Sequence, residues 1–377
     1  MTNKLRTNMQ RKEISFKGQK VFIGIDVHKD SWRVAIAPEV GVVKGHSQKP
    51  SARELLDFLK KYYPDGEYHA VYESGFSGFS TYYALQDVGI DCIVIHAADV
   101  PTTQYEETMK TDKVDAAKLV RSLKSGLLTG IYIHKRDDID ARSVVRLRKT
   151  IQKQLGSYKS RVKHLLHSNG VTFPERFSTP GSHWSKVFIR WLKEEVVLLS
   201  ATRISLDLLI VQVEAIRKTL LMATRNVREL SRSERYRHGC ELLTSIPGVG
   251  VNVAMTLLTE IGDINRFHNE KEFASYLGLV PTSHSSGGKV AYGEKTFRGN
   301  KYLGPQIVEA SWVSIYRDRG LGCAYLNYKK RMKPQEAIVR VARKLSNIVF
   351  SVLKTGKKYK PYEWDEKQKH TDLQATS

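Results

Sequence analysis

The sequence predicts an α/β domain, then long central helices, then a mainly helical C-terminal unit. Three observations carry this reading. Short apolar runs alternate with helical stretches between residues 21 and 96, apolar residues recur every three or four positions across 144–165 and 206–220, and apolar helical segments with a Gly-rich loop and a basic final helix follow Cys240.

Each element has its own signal. Val21-Phe22-Ile23-Gly24-Ile25-Asp26 is an apolar run closed by a carboxylate, and Trp32 to Ala37 is a second run after a short turn, so the two predict a hairpin. A polar helix from Ser51 to Tyr62, a strand from His69 to Tyr72, a helix from Thr81 to Asp87 and a strand from Asp91 to His96 continue the alternation. The domain closes with a helix that begins near Thr111, runs through Asp112, Asp115, Leu119 and Leu123, and ends at Gly126. Beyond it, Val144, Leu147, Ile151, Leu155, Tyr158, Val162 and Leu165 form one buried stripe, read as part of a helix pair. After the Gly- and Pro-bearing stretch from Gly170 to Gly181, Leu206, Leu209, Val213, Ile216 and Leu220 follow a heptad pattern. Such a stripe is buried either by coiled-coil pairing between subunits or by an intramolecular hairpin. The resulting segments are a basic N-terminal extension (1–19), the α/β domain (20–130), a helical connector (131–236), a C-terminal unit (237–361) and a polar tail (362–377).

Composition narrows the partner. The 377 residues include 61 Lys and Arg against 39 Asp and Glu, a formal charge of +22, which favours a polyanion. With 41% hydrophobic residues the chain has material for sizeable cores and is not a disordered basic tail. Cys92, Cys240 and Cys323 form no CxxC pair, which argues against a zinc ribbon or disulfide framework and fits a reducing cytosol. The first twenty residues are polar and basic, and no run reaches the roughly 18 apolar residues of a membrane span, so the expected location is cytoplasmic. With no amphipathic anchor or lipidation signal, nucleic acid is a better partner than a membrane surface.

Four carboxylates carry the chemistry. Asp26 and Glu73 end strands, while Asp112 and Asp115, three apart in Lys-Thr-Asp-Lys-Val-Asp, share a helix face. Each alone has a structural reading, Asp26 as a turn cap and Asp112 as a helix N-cap. Together they predict a site for hard divalent cations, Mg²⁺ by default, in which one ion activates the attacking oxygen of a phosphoryl transfer and another stabilises the leaving one.

Other motifs bear on nucleic acid. Ser245-Ile246-Pro247-Gly248-Val249-Gly250 between helices is either a plain turn or, as in helix-hairpin-helix modules, a turn whose N–H groups at Gly248 and Gly250 meet a DNA phosphate. The loop from Gly278 to Lys289 holds Ser283, His284, Ser285, Ser286 and a Gly pair. It reads as a flexible turn or as a loop presenting a serine oxygen to a phosphodiester beside Lys289. Lys289, Arg298 and Lys301 add charge there. Residues 329–360 carry eleven Lys and Arg and one acid, and the final helix puts Ile338, Val341, Ala342, Leu345 and Ile348 on its packing side with Arg340, Arg343 and Lys344 elsewhere. Residues 135–163, with ten Lys and Arg against three Asp, are similarly basic. A solvated helix face is the alternative for both.

The motifs in order, Gly-Ile-Asp, Glu-Ser-Gly, Lys-Thr-Asp-Lys-Val-Asp, Ser-Ile-Pro-Gly-Val-Gly and Gly-Leu-Val-Pro followed by Ser-Gly, resemble those of the DEDD-type transposases of the IS-one-ten family, related to Piv-type DNA invertases, from about residue 20 to 355. The resemblance implies a RuvC-like domain of RNase H fold, a coiled-coil connector and a C-terminal transposase domain that supplies a serine nucleophile. It places the acidic tetrad on Asp26, Glu73, Asp112 and Asp115, and the serine on Ser286, which directly precedes Gly287, with Ser285 adjacent. It further implies target and donor DNA, a structured bridge RNA that selects sequence by base pairing, and a dimer or tetramer whose active sites draw on different protomers. No RRM, KH, zinc-finger or GxxxxGK[ST] motif is present. The expected reaction is strand exchange through a phosphoserine intermediate; the rivals are a RuvC-like junction nuclease that never rejoins ends and a non-catalytic nucleic-acid scaffold.

Overall fold

The structure, a computed structural model, describes residues 15–104, 111–286, 289–295 and 299–361. Most of the basic extension, the polar tail and Arg298 lie outside the described residues. The chain divides into two compact units between Ile133 and His134.

The first unit is built on five strands: β1 (Lys20–Val27), β2 (Trp32–Pro38), β3 (Lys44–Gln48), β4 (Glu67–Glu73) and β5 (Asp91–Ile95), in the order β3-β2-β1-β4-β5. The expected hairpin is present, with Ile23 opposite Ile36 in an antiparallel pair, and β4 and β5 run parallel to β1. β3 is an addition to the sequence reading: Lys-Gly-His-Ser-Gln has no apolar alternation, and only its ladder with β2 makes it an edge strand. The helices are α1 (Ala52–Tyr62), α2 (Ser80–Asp87) and α3 (Asp112–Lys124). Ser51 caps α1 by accepting from Glu54 N, and Thr111, rather than Asp112, caps α3 by accepting from Val114 N.

Both sheet faces are covered. Val21, Ile23, Ile25 and Tyr72 pack with Leu55, Leu59 and Leu85 on the side of α1 and α2. On the opposite face α3 lies against the strands, with Ala116 and Val120 on Ala35 and Ala37, and Leu119 on Val71 and Ile95. Period-two alternation puts Gly24 on this second face. A Cβ there would run into the Ala116 carbonyl oxygen and lie 2.9 Å from both Leu119 Cβ and Val120 N. The missing side chain is what lets α3 sit directly on the sheet.

The second unit is mainly helical: α4 (Arg136–Ser168), α5 (Lys186–Glu194), α6 (Ser200–Leu230), α7 (Glu234–Thr244), α8 (Val251–Ile261), α9 (Glu270–Tyr276), the hairpin β6 (Pro281–Ser286) and β7 (Lys289–Lys295), then α10 (Leu303–Arg317), α11 (Arg319–Lys329) and α12 (Pro334–Thr355). The 144–165 stripe belongs to a single helix of 33 residues. The stripe is also imperfect, since Leu147 is 57% exposed. α4 and α6 pack on each other within the chain. Leu155 and Val162 join Leu206, Val213 and the aromatic residues Phe188 and Trp191 in one core, and Ala141, Val145 and Val227 join the core of α7 to α12. The expected loop at residues 278–289 is instead mostly strand, with Ser286 paired to Lys289 and Ser285 to Val290. In the sequence, a Gly-Gly pair between two short runs is a hairpin signal that outweighs the loop-like composition.

Replacing Gly24 by Ala should destabilise the first unit by about 1–3 kcal/mol, the cost of overpacking, measurable as a lower urea midpoint. An unchanged midpoint would mean that α3 does not need this approach.

Candidate active site

Register and packing bring the acidic residues together. The parallel ladder pairs Ile25 with Tyr72, so Asp26 and Glu73, one residue further along each strand, reach the same sheet end. Asp26 lies two residues beyond Gly24 and Glu73 two beyond Val71, which puts both on the face covered by α3. The first turns of α3 carry Asp112 and Asp115. A cavity of about 190 Å³ opens here, lined by Ile25, Asp26, Val27, Glu73, Ser74, Gly75, Asp115 and Leu119.

Two cationic or potentially cationic side chains that the sequence reading passed over sit among the carboxylates. His28 Nε2 lies 3.1 Å from Asp26 Oδ2 and 3.6 Å from Asp112 Oδ2. Asp26, His28 and Asp112 each offer one ligand atom, all within 4.8 Å of one another. Lys118 Nζ lies 3.5 Å from Asp115 Oδ1 and 3.8 Å from Glu73 Oε1, and its side chain is only 11% exposed. Both had signals: His28 follows Asp26 by one strand period, and Lys118 follows Asp115 by three helical positions. Tyr72 had none. Its buried hydroxyl donates to Gly78 O at 3.0 Å and accepts from Tyr82 N at 3.1 Å, pinning the turn that follows Glu73.

Burial raises the Asp26 carboxyl above its ordinary value; His28 opposes this, and the neighbouring charges of Asp112 and Asp115 add to it. A buried carboxylate beside two other acids suits a hard cation, which takes oxygen ligands and relieves the repulsion.

The other predicted residues fall in the second unit. Ser285 and Ser286 end β6, and Lys289 starts β7. The base of this hairpin is held firmly. Buried Glu260 accepts from Arg146 Nε at 2.6 Å and Nη2 at 2.8 Å, and from Asn300 Nδ2 at 3.1 Å. Tyr276 Oη donates to Glu260 O at 2.8 Å, and Asn300 N donates to Tyr276 O at 2.7 Å. Burial alone would raise the Glu260 carboxyl, but the Arg146 hydrogen bonds and charge hold it below its ordinary value. Gly299 packs on the backbone of Gly278, where a side chain would not fit.

The two glycines of the turn before α8 differ. Gly248 has φ of +90°, and a Cβ would stand 2.5 Å from Ala310 O, so packing on α10 accounts for it. Gly250 is exposed at the start of α8, with nothing within 4 Å of a Cβ. Arg340 and Lys344 are exposed on α12, Arg343 is half-buried and Lys301 is exposed before α10, while Ile338, Val341, Ala342 and Leu345 are buried. Among the described residues no helix is long and apolar enough to cross a membrane.

Comparison with known proteins matches both halves of this arrangement. A DEDD transposase domain of the IS110 family matches residues 23–169, and the Transposase IS116/IS110/IS902 family matches residues 240–325. The chain belongs to the IS110 family of transposases. It is 27% identical to y4qE of Sinorhizobium fredii, named as a transposase, over 80% of this chain and 73% of that one. It is also 27% identical to the transposase of insertion sequence element IS1533 of Leptospira borgpetersenii, over 67% of this chain and 72% of that one. A pilin gene-inverting protein of Moraxella bovis is 30% identical over 32% of this chain and 39% of its own. The protein is therefore an enzyme of DNA phosphoryl transfer that cuts and rejoins strands for insertion-sequence mobility, and it binds DNA. The DEDD domain implies an RNase H-like α/β fold, in keeping with the five-stranded mixed sheet, and such domains are typically metal dependent.

A raised carboxyl holds its proton in the folded state at pH values where the unfolded chain has released it, so folded stability falls as pH rises above the ordinary value of 3.8. Asp26→Asn removes that penalty. In EDTA at neutral pH this variant of the transposase should melt about 2–4 °C higher than wild type by calorimetry while losing strand transfer. A lower melting temperature would contradict the repulsion described here.

Proposed function

We propose that this transposase exchanges DNA strands through a phosphoserine formed on Ser286, with the tetrad Asp26, Glu73, Asp112 and Asp115 holding Mg²⁺ against the reacting phosphate. The observation that carries the reading is the gathering of Asp26, Glu73 and Asp115 around a cavity, with Asp112 joined to Asp26 through His28, in a chain of the IS110 family. Bound Mg²⁺ supplies Lewis-acid polarisation of the phosphate oxygens and neutralises developing charge. Ser286 loses its proton and its oxygen bonds to phosphorus as the bond to the leaving nucleotide oxygen breaks, and that oxygen departs as a hydroxyl. In the second step the hydroxyl of the exchanged strand displaces Ser286, which recovers its proton. One phosphodiester is traded for another, so rejoining requires no ATP. Segment 20–130 acts as the acidic catalytic domain, 131–236 as the connector and 237–361 as the serine-bearing domain.

Sequence choice falls to a structured guide RNA that pairs with target and donor DNA in the bacterial cytoplasm, while the protein reads backbone and helix shape. The formal charge of +22, the exposed Lys301, Arg340 and Lys344, the half-buried Arg343 and the open backbone at Gly250 support this division. Lys289 and Arg298 complete the proposed interface.

The working form is a homo-oligomer. The heptad at Leu206 and Val213 is used inside the chain, but α6 also exposes Ile204, Leu208, Val211 and Met222 at spacings of four, three and eleven, a second apolar stripe on the same helix.

Two experiments test the reading. A covalent protein–DNA adduct should form with wild type and Ser285→Ala and vanish with Ser286→Ala; its persistence without Ser286 would sink the assignment. Open DNA ends with no joined product would instead favour the junction nuclease. For the oligomer, Leu208→Glu with Val211→Glu should convert it to monomer by light scattering with α-helical content retained, and an unchanged mass would exclude this stripe.

A further inference from the structure

Lys118 is a permanent feature of the acidic cluster that the tetrad reading leaves out. Its Cα is fixed on α3 one turn beyond Asp115, its side chain is 89% removed from solvent, and its ammonium reaches both Asp115 and Glu73 within 3.8 Å. At the other end of the cluster, Asp26 and Asp112 meet His28, which has a lone pair to offer when neutral. The four carboxylates therefore fall into two halves of different character. One half is already satisfied by a fixed positive charge. The other presents two carboxylate oxygens and an imidazole nitrogen with spacing suited to a single ion.

We propose that the site holds one divalent cation, on Asp26, His28 and Asp112, and that the Lys118 ammonium takes the place of a second ion on Glu73 and Asp115. The inference rests on the metal-binding reading of the tetrad and refines it. A divalent ion ligated by the Glu73 and Asp115 oxygens at about 2.1 Å would lie within about 6 Å of Lys118 Nζ, where charges of two and one repel in a partly dehydrated pocket. The Lys118 side chain is only 11% exposed, so its charge stays at the cluster. Lys118 is thus a positioning residue: it keeps Glu73 and Asp115 converged and limits the site to one ion. Imidazole ligation also favours ions later than Mg²⁺ in the affinity order, so Mn²⁺ should bind more tightly than Mg²⁺.

Mn²⁺ titration of the full-length metal-free protein, followed by calorimetry and electron paramagnetic resonance, tests the count directly. Wild type and Lys118→Arg should bind one Mn²⁺ per chain with the spectrum of an isolated ion and nitrogen modulation that disappears in His28→Gln. Lys118→Met, with circular dichroism confirming the fold, should bind two and show a spin-coupled pair. Two ions on wild type, one ion on folded Lys118→Met, or no nitrogen modulation would overturn the inference while leaving the tetrad a metal site. No bound Mn²⁺ on wild type, or unchanged binding in Asp26→Asn, would overturn the tetrad reading and this inference with it. The wild-type count stands as a test even where Lys118→Met fails to fold.

Discussion

The candidate active site depends on how closely one helix approaches one strand. Gly24 has no side chain, so the Ala116 carbonyl and Leu119 rest where a Cβ would be. Asp112 and Asp115 are a single helical turn upstream of that contact, and Asp26 is one strand period beyond it. Any residue larger than glycine at position 24 pushes α3 outward and carries two of the four carboxylates away from the other two. The Gly-Ile-Asp motif therefore has a geometric reason: the glycine sets the distance across which the aspartate works. Leu119 on Val71 and Val120 on Ala35 then fix the helix rotation.

Bringing those carboxylates together creates an electrostatic cost that the fold meets locally. Asp26, partly dehydrated and beside two other acids, is pushed toward its protonated form. Lys118 and His28 lie between acids from different elements, so each joins parts of the chain that repulsion would separate. The second unit solves a comparable problem with one buried acid. Glu260 is 1% exposed, yet Arg146 and Asn300 satisfy its oxygens, and the same cluster ties α4 to both chain segments that enter and leave the serine hairpin. Buried pairs of this kind contribute little net stability but hold register, here that of the chain segments flanking the hairpin.

The sequence makes some of this visible and hides the rest for physical reasons. Strands β1, β2, β4 and β5 and helices α1 to α3 are legible because apolar periodicity, Ser51 and Thr111 caps and Gly126 all point the same way. The polar edge strand β3 is not, because pairing with β2 rather than composition defines it. The apolar stripes of α4 and α6 are legible as helices, but whether they bury each other within the chain or between subunits is decided by their packing, not by their spacing. The acidic positions stand out through their places at strand ends and on one helix face. Lys118 escapes attention because an i, i+3 acid–base pair is common on solvated helices, and only the sheet beneath α3 turns it into a buried contact. Gly248 shows the converse: a motif that invites a phosphate-binding reading has a sufficient reason in the backbone of α10.

The charge distribution separates attraction from reaction. A formal charge of +22 draws a polyanion to the surface, yet the cavity into which a phosphate would enter is walled by carboxylates. Long-range attraction acts over about a Debye length and weakens with salt, whereas repulsion inside a partly dehydrated pocket is screened far less. A phosphate can therefore be attracted to the protein surface and still be repelled by the acidic cluster. Under the proposed mechanism this makes DNA affinity a property of the basic helices and reactivity a property of the cations in the pocket. Raising salt then weakens binding before it affects the chemistry, and withdrawing divalent ions stops the chemistry while the DNA stays bound.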